Sequence, residues 1–115
     1  MKKNLLIIAM CFGLSAFSQD INKDFKENYS KGIEHYNKGV DIINTLQPNE
    51  NVMRLDEYMG DAQKQFKEAL PYIEKAHSIN PSDKNTLTAL IGIYFSLYDY
   101  EKSDKYKKEL ESLKK

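Results

Sequence analysis

Residues 69–81 read Ala69-Leu70-Pro71-Tyr72-Ile73-Glu74-Lys75-Ala76-His77-Ser78-Ile79-Asn80-Pro81 and open a stretch that runs on to Leu110. Ala69, Ile73 and Ala76 step by three or four, the spacing of one helical face. Asn80-Pro81-Ser82-Asp83 then ends the pattern, because Pro81 lacks the amide hydrogen a helix needs, and Ser82 or Asp83 is placed to cap the next helix. Beyond it, Leu87, Leu90, Ile91, Tyr94 and Leu97 mark the buried face of a third helix, and Ser103, Tyr106, Leu110 and Leu113 that of a fourth. The connection Tyr98-Asp99-Tyr100 is so short that these two helices must form an antiparallel hairpin.

Toward the N-terminus the stripe Val52, Leu55, Met59, Ala62, Phe66, Ala69, Ile73, Ala76 crosses Pro71 without losing phase. A proline inside a helix costs about 3 kcal/mol. Lys64-Gln65-Phe66 offers no turn-forming residue, however, so burial is expected to win and give one helix over about 51–78, kinked near Lys67. The rival is a tight turn near Gln65, with Pro71 in the first turn of a new helix. A first stripe, Ile21, Phe25, Tyr29, Ile33, Tyr36, Val40 and Ile43, predicts a helix whose last turn is Thr45-Leu46, before Pro48. No segment alternates with period two and no Asn-Gly or Asp-Gly hairpin signal occurs, so the fold class is all-α, about four helices in antiparallel hairpins. Gly32, Gly39, Gly60 and Gly92 all fall inside predicted helices, where each costs roughly 0.5–1 kcal/mol against alanine. Gly32 and Gly39 lie seven apart on one face beside Tyr36, which points to close helix approach or room for a facing ring; tolerated surface glycines are the plainer alternative.

At 115 residues the chain is sized for one domain. Its formal charge is zero, with 30% charged residues interleaved in sign, so it has no electrostatic grip on nucleic acid or anionic lipid. Pairs four apart, such as Glu101 with Lys105 and Glu111 with Lys115, fit a solvated helix face. Lys2-Lys3, the apolar run Leu5 to Leu14 and Ala16-Phe17-Ser18 fit the three regions of a secretory signal, so residues 1–18 are expected to be cleaved after Ser18, leaving 19–115 as the exported domain. The run is too short for stable membrane insertion, which takes about 20 apolar residues. Bulky Met10 before Cys11 argues against lipid attachment there. Because Cys11 is the only cysteine, the mature domain would carry no disulfide, thiolate nucleophile or sulfur-ligated zinc.

The chain echoes itself at an offset of 34, pairing Met53 with Leu87, Phe66 with Tyr100, Ala69 with Ser103, Tyr72 with Tyr106 and Ala76 with Leu110. Phe66, Ala69, Ala76 and Pro81, followed by Leu87, Leu90 and Tyr94, resemble the second helix and following first helix of the tetratricopeptide repeat (TPR) family. Gly60, Ile91 and Lys107 depart from that pattern. The resemblance covers about Asn51 to Leu110 and implies a right-handed, TPR-like stack of hairpins serving as a protein-binding scaffold. It places partner contacts on the inner face of the first helix of each pair: Asn51, Arg54 and Tyr58 in one unit, and Asn85, Thr88, Phe95 and Ser96 in the next. Family members that hold a peptide carboxylate use lysine and arginine there, whereas Asn85 and Thr88 are neutral, so carboxylate capture is not expected.

Glu74-Lys75-Ala76-His77 has the Glu-x-x-His spacing of carboxylate metal sites, yet no second copy accompanies it, so no metal centre or other cofactor is expected. His77 instead suits the negative end of a helix dipole. No His-Glu-x-x-His, phosphate loop or Gly-x-Ser-x-Gly appears, so the chain reads as a non-catalytic interaction module outside the cytoplasm, periplasmic or secreted. Its partner would be another exported protein or peptide, with a homodimer as another way to cover an open end. The alternative is a small-ligand carrier whose eight tyrosines line a cleft.

Overall fold

The structure is a computed structural model; it describes the backbone of residues 2–46 and 52–114, and the side chains of 21–46 and 53–114. Four helices follow one another: α1 (Lys2–Asn44), α2 (Val52–Ile79), α3 (Lys84–Ser96) and α4 (Tyr100–Ser112), with no strand among the described residues. The backbone of α1 begins at Lys2 instead of near Ile21, since no proline or turn cluster separates the apolar run from the first stripe. Side chains of the expected signal segment lie outside the described residues. Among the described residues, no helix is long and apolar enough to cross a membrane.

Residues 52–79 form a single helix through Pro71. Pro71 is exposed, so the backbone carbonyl it frees one turn earlier, at exposed Lys67, can be hydrated. On the opposite side Ala62, Phe66, Ala69, Ile73 and Ala76 are each at most 1% exposed, and burying that stripe outweighs the missing bond.

Gly32 and Gly39 set how close α1 comes to α2. A Cβ built at Gly32 would overlap the side chain of Ile73, and one at Gly39 would lie 2.6 Å from Phe66 Cε1. The glycines are notches into which the two largest buried side chains of α2 fit. Seven residues forward on α1 matches seven backward on α2, so the helices are antiparallel and Asn44 ends beside residue 61. The first turns of α2, Val52–Gly60, therefore run past the end of α1. Gly60 has nothing within 4 Å of a built Cβ. Gly60→Ala is accordingly expected to raise stability by about 0.5–1 kcal/mol in urea unfolding.

Asp83 caps α3, its Oδ2 accepting from the Thr86 amide at 2.9 Å and from Thr86 Oγ1 at 2.6 Å. Thr86 is fully buried, so Asp83→Ala removes the cap and strands a buried hydroxyl. A loss of about 1–2 kcal/mol is expected by thermal melting. Helix α3 is buried at Thr86, Leu87, Ala89, Leu90, Ile93 and Tyr94, while Ile91 and Leu97 are only partly covered. Its buried face is wider than the predicted stripe because α1, α2 and α4 all pack on it. Ser103 Oγ donates to the Ile91 carbonyl at 3.0 Å, a small residue drawing α4 onto α3.

The expected Glu101–Lys105 pair does not form. Lys105 Nζ lies over the Tyr106 ring at 5.3 Å, and the ion pair of this turn is Lys102 with Asp99 at 3.9 Å. A ring face one residue away competes better than a solvated carboxylate. Lys115, expected to pair with Glu111, lies outside the described residues. The 34-residue echo also fails to carry burial at its start, where Met53 is 80% exposed and Leu87 fully buried.

Candidate functional site

One contact and one electrostatic influence orient α1 against α3. A Cβ at Gly92 would sit 3.2 Å from Tyr36 Oη, and the Tyr29 hydroxyl, near the start of α3, is held above its ordinary pKa by burial and then by the charge of Asp83. Moving forward along α1 thus moves forward along α3, and the two helices run parallel with α2 between them in the chain. Asn85, Thr88, Phe95 and Ser96 stand seven before, four before, three after and four after Gly92, the offsets that share one helical face. This face adjoins α1 where Tyr36 seats on the glycine.

Asn85 and Thr88 are exposed, and Thr88 Oγ1 donates to the Lys84 carbonyl at 2.8 Å. Phe95 is 60% exposed. Ser96 is half-buried, its carbonyl accepting from Gln63 Nε2 at 3.3 Å, which ties α3 to α2. None of the four is charged, so the face can offer hydrogen bonds and one aromatic ring but no ion pair. Arg54 and Tyr58 stand apart from this set in the topology. They occupy the overhanging start of α2, the second helix of the first hairpin, where Arg54 Nη2 donates to Tyr58 Oη at 3.3 Å. Asn51 lies outside the described residues. From α1, Tyr36 meets α3 at Gly92.

Glu74 and His77 both face the second hairpin, yet each is engaged separately. Glu74 accepts from Tyr94 Oη at 2.6 Å and from Tyr106 Oη at 3.1 Å to either carboxylate oxygen. His77 Nε2 meets Glu109 Oε1 at 3.1 Å, and the ring stands edge-on to Tyr106. The His77 Nδ1 atom is buried without a hydrogen-bond partner. Burial, then the hydrogen bond and charge of Glu74, pushes the Tyr94 hydroxyl far up; burial, then the Glu74 charge, pushes Tyr106 up to about 12. The arrangement ties α2 to α3 and α4. Among the described residues no three acidic, histidine or cysteine side chains are grouped to hold a metal ion.

On the far side of the α1–α2 pair, His35 Nδ1 lies 3.1 Å from Gln65 Oε1 and 3.4 Å from Glu68 Oε2, and its ring stacks on Tyr72. His35, Glu68, Pro71 and Tyr72 line an open depression there, and a second open one runs along α4 past Asp99, Lys102 and Lys105. No protein-family model, curated protein or solved structure matches the chain.

Proposed function

We propose that the chain is a non-catalytic protein–protein interaction module of the TPR-like type, acting outside the cytoplasm on another exported protein or peptide. The observation that carries the reading is the uncharged face of α3, with Asn85, Thr88 and Phe95 exposed and Ser96 half-buried, beside parallel α1 at the Tyr36–Gly92 contact. Two parallel helices backed by two others present a surface without a reactive group, suited to binding. Burial of Phe66, Ala69, Ala76, Leu87, Leu90 and Tyr94 is in keeping with the TPR-like spacing. The N-terminal pattern of Lys2-Lys3, apolar run and Ser18 supports export. A small-ligand carrier is favoured less, because Tyr94 and Tyr106 are packed on each other at 5.8 Å and bonded to Glu74, and the two depressions described are open.

Cross-linking in the native envelope, followed by identification of what is attached, tests this reading. A partner captured by the natural chain and lost on Thr88→Arg supports it. Recovery of the monomer alone at several linker lengths overturns it.

A further inference from the structure

We infer that the tip of the α3–α4 hairpin is a docking knob for an uncharged, proline-rich extended segment of a partner protein; this rests on the reading of the chain as an interaction module and names the partner's chemistry. The tip is built around Tyr98. The Asp99 amide bonds to the Tyr94 carbonyl at 2.9 Å and the Tyr98 amide to the Phe95 carbonyl at 3.1 Å, the paired bonds of a helix stop that glycine usually completes. Tyr98 has φ 64°, the left-handed region disfavoured for a side chain with a Cβ. Its ring is 62% exposed, so the core gains little in return. Neither backbone nor packing calls for tyrosine at this position, and strain of this kind collects where a residue serves a contact.

Two more rings join it. Tyr100, 51% exposed, stands between Phe95 at 5.2 Å and Tyr98 at 6.4 Å, with interplanar angles of 65° and 64°. Rings so angled leave two notches, each walled by ring faces and edges. Asp99, between the two tyrosines, is engaged locally, since its Oδ1 accepts from the Lys102 amide at 3.2 Å and Oδ2 lies 3.9 Å from Lys102 Nζ. Among the described residues none bonds to the Tyr98 or Tyr100 hydroxyl, which leaves two exposed donors beside the rings.

Area decides between occupants. At roughly 200 Å² per ring side chain the three exposed fractions sum to about 350 Å², well below the roughly 800 Å² per partner of a stable interface. The three rings alone thus fall short of what holds a second copy of the chain. A short segment can be held here, provided it loses little freedom on binding, because so small an area returns little. Polyproline II meets that condition: it is extended before binding, its pyrrolidine rings fill aromatic notches, and its carbonyls are free to accept from tyrosine hydroxyls.

The test is fluorescence anisotropy of fluorescein-labelled decaproline titrated with the purified chain, beside a labelled Gly-Ser decamer. Saturable binding of decaproline over the Gly-Ser peptide, weakened about tenfold or more by Phe95→Ala and by Tyr98→Gly, is expected. Tyr98→Gly is also expected to raise the melting temperature, so its loss of binding would not be unfolding. No saturation, equal affinity for the variants, or a dimer in sedimentation that Tyr98→Gly dissolves would each overturn the proposal. A partner still captured by cross-linking while decaproline fails to bind overturns this inference and leaves the scaffold reading standing.

Discussion

Alanine at both Gly32 and Gly39 is expected to lower unfolding free energy by about 2–4 kcal/mol, read from urea titration of the Gly32→Ala/Gly39→Ala chain. Helix propensity alone predicts the opposite sign, a gain of about 1 kcal/mol per site. Packing overrides it. The new methyl at position 32 has no space beside Ile73, whose backbone nitrogen is 3.2 Å away as well, and the one at 39 meets three atoms of the Phe66 ring at 2.6–2.9 Å. Ile73 and Phe66 are 0% and 1% exposed, so neither can swing into solvent, and α1 must move off α2 along its length. Gly60→Ala serves as the internal control, being helical but unopposed. If the double variant matches or exceeds the natural chain, α1 does not lie on α2 as described.

Removing the Glu74 carboxylate ranks with it. Glu74→Ala leaves two phenol hydroxyls, at residues 8–9% exposed, without their acceptor, at a cost of about 2–4 kcal/mol. The same cluster makes stability fall in alkali. Tyr94 and Tyr106 titrate higher in the fold than the ordinary value of 10.0, so above that pH the unfolded chain sheds protons the folded chain keeps. Their contribution is complete below pH 10 and is lost as pH rises through about 12, the folded value of Tyr106. Glu74→Gln should bring the tyrosinate absorbance transition down only part of the way, since burial is the larger cause of both shifts. An unchanged transition would mean the carboxylate does not face the phenols in solution.

Part of the candidate site was legible in the sequence. Asn85, Thr88, Phe95 and Ser96 share a face by spacing alone, and the structure keeps them on one face of α3. What stands across from them was not legible. A stripe of apolar residues says that a face is buried without saying by which helix; Arg54 and Tyr58 lie on the overhanging start of α2, while Tyr36 of α1 meets α3 at Gly92. Ile93 was missed for a related reason: it lies off the main stripe, and only a helix covered from several sides buries it. Glu74 and His77 have the spacing of a ligand pair because three residues bring side chains to the same face. Their partners, two phenols and Glu109, come from α3 and α4, 20 residues or more away.

What the residues determined without help from tertiary contacts is local: four helices, the stops before Pro48 and Pro81, and glycines spaced seven apart. Each follows from backbone geometry or from periodicity, which act within a few residues of chain. The tertiary structure alone decided that Phe66 and Ile73 fill the glycine notches, that α1 runs parallel to α3, and that Glu74 joins three helices. It also decided that Tyr98 bears a left-handed backbone with its ring in solvent. Those outcomes depend on which surfaces meet, and that choice is made by shape and hydrogen-bond satisfaction across the core.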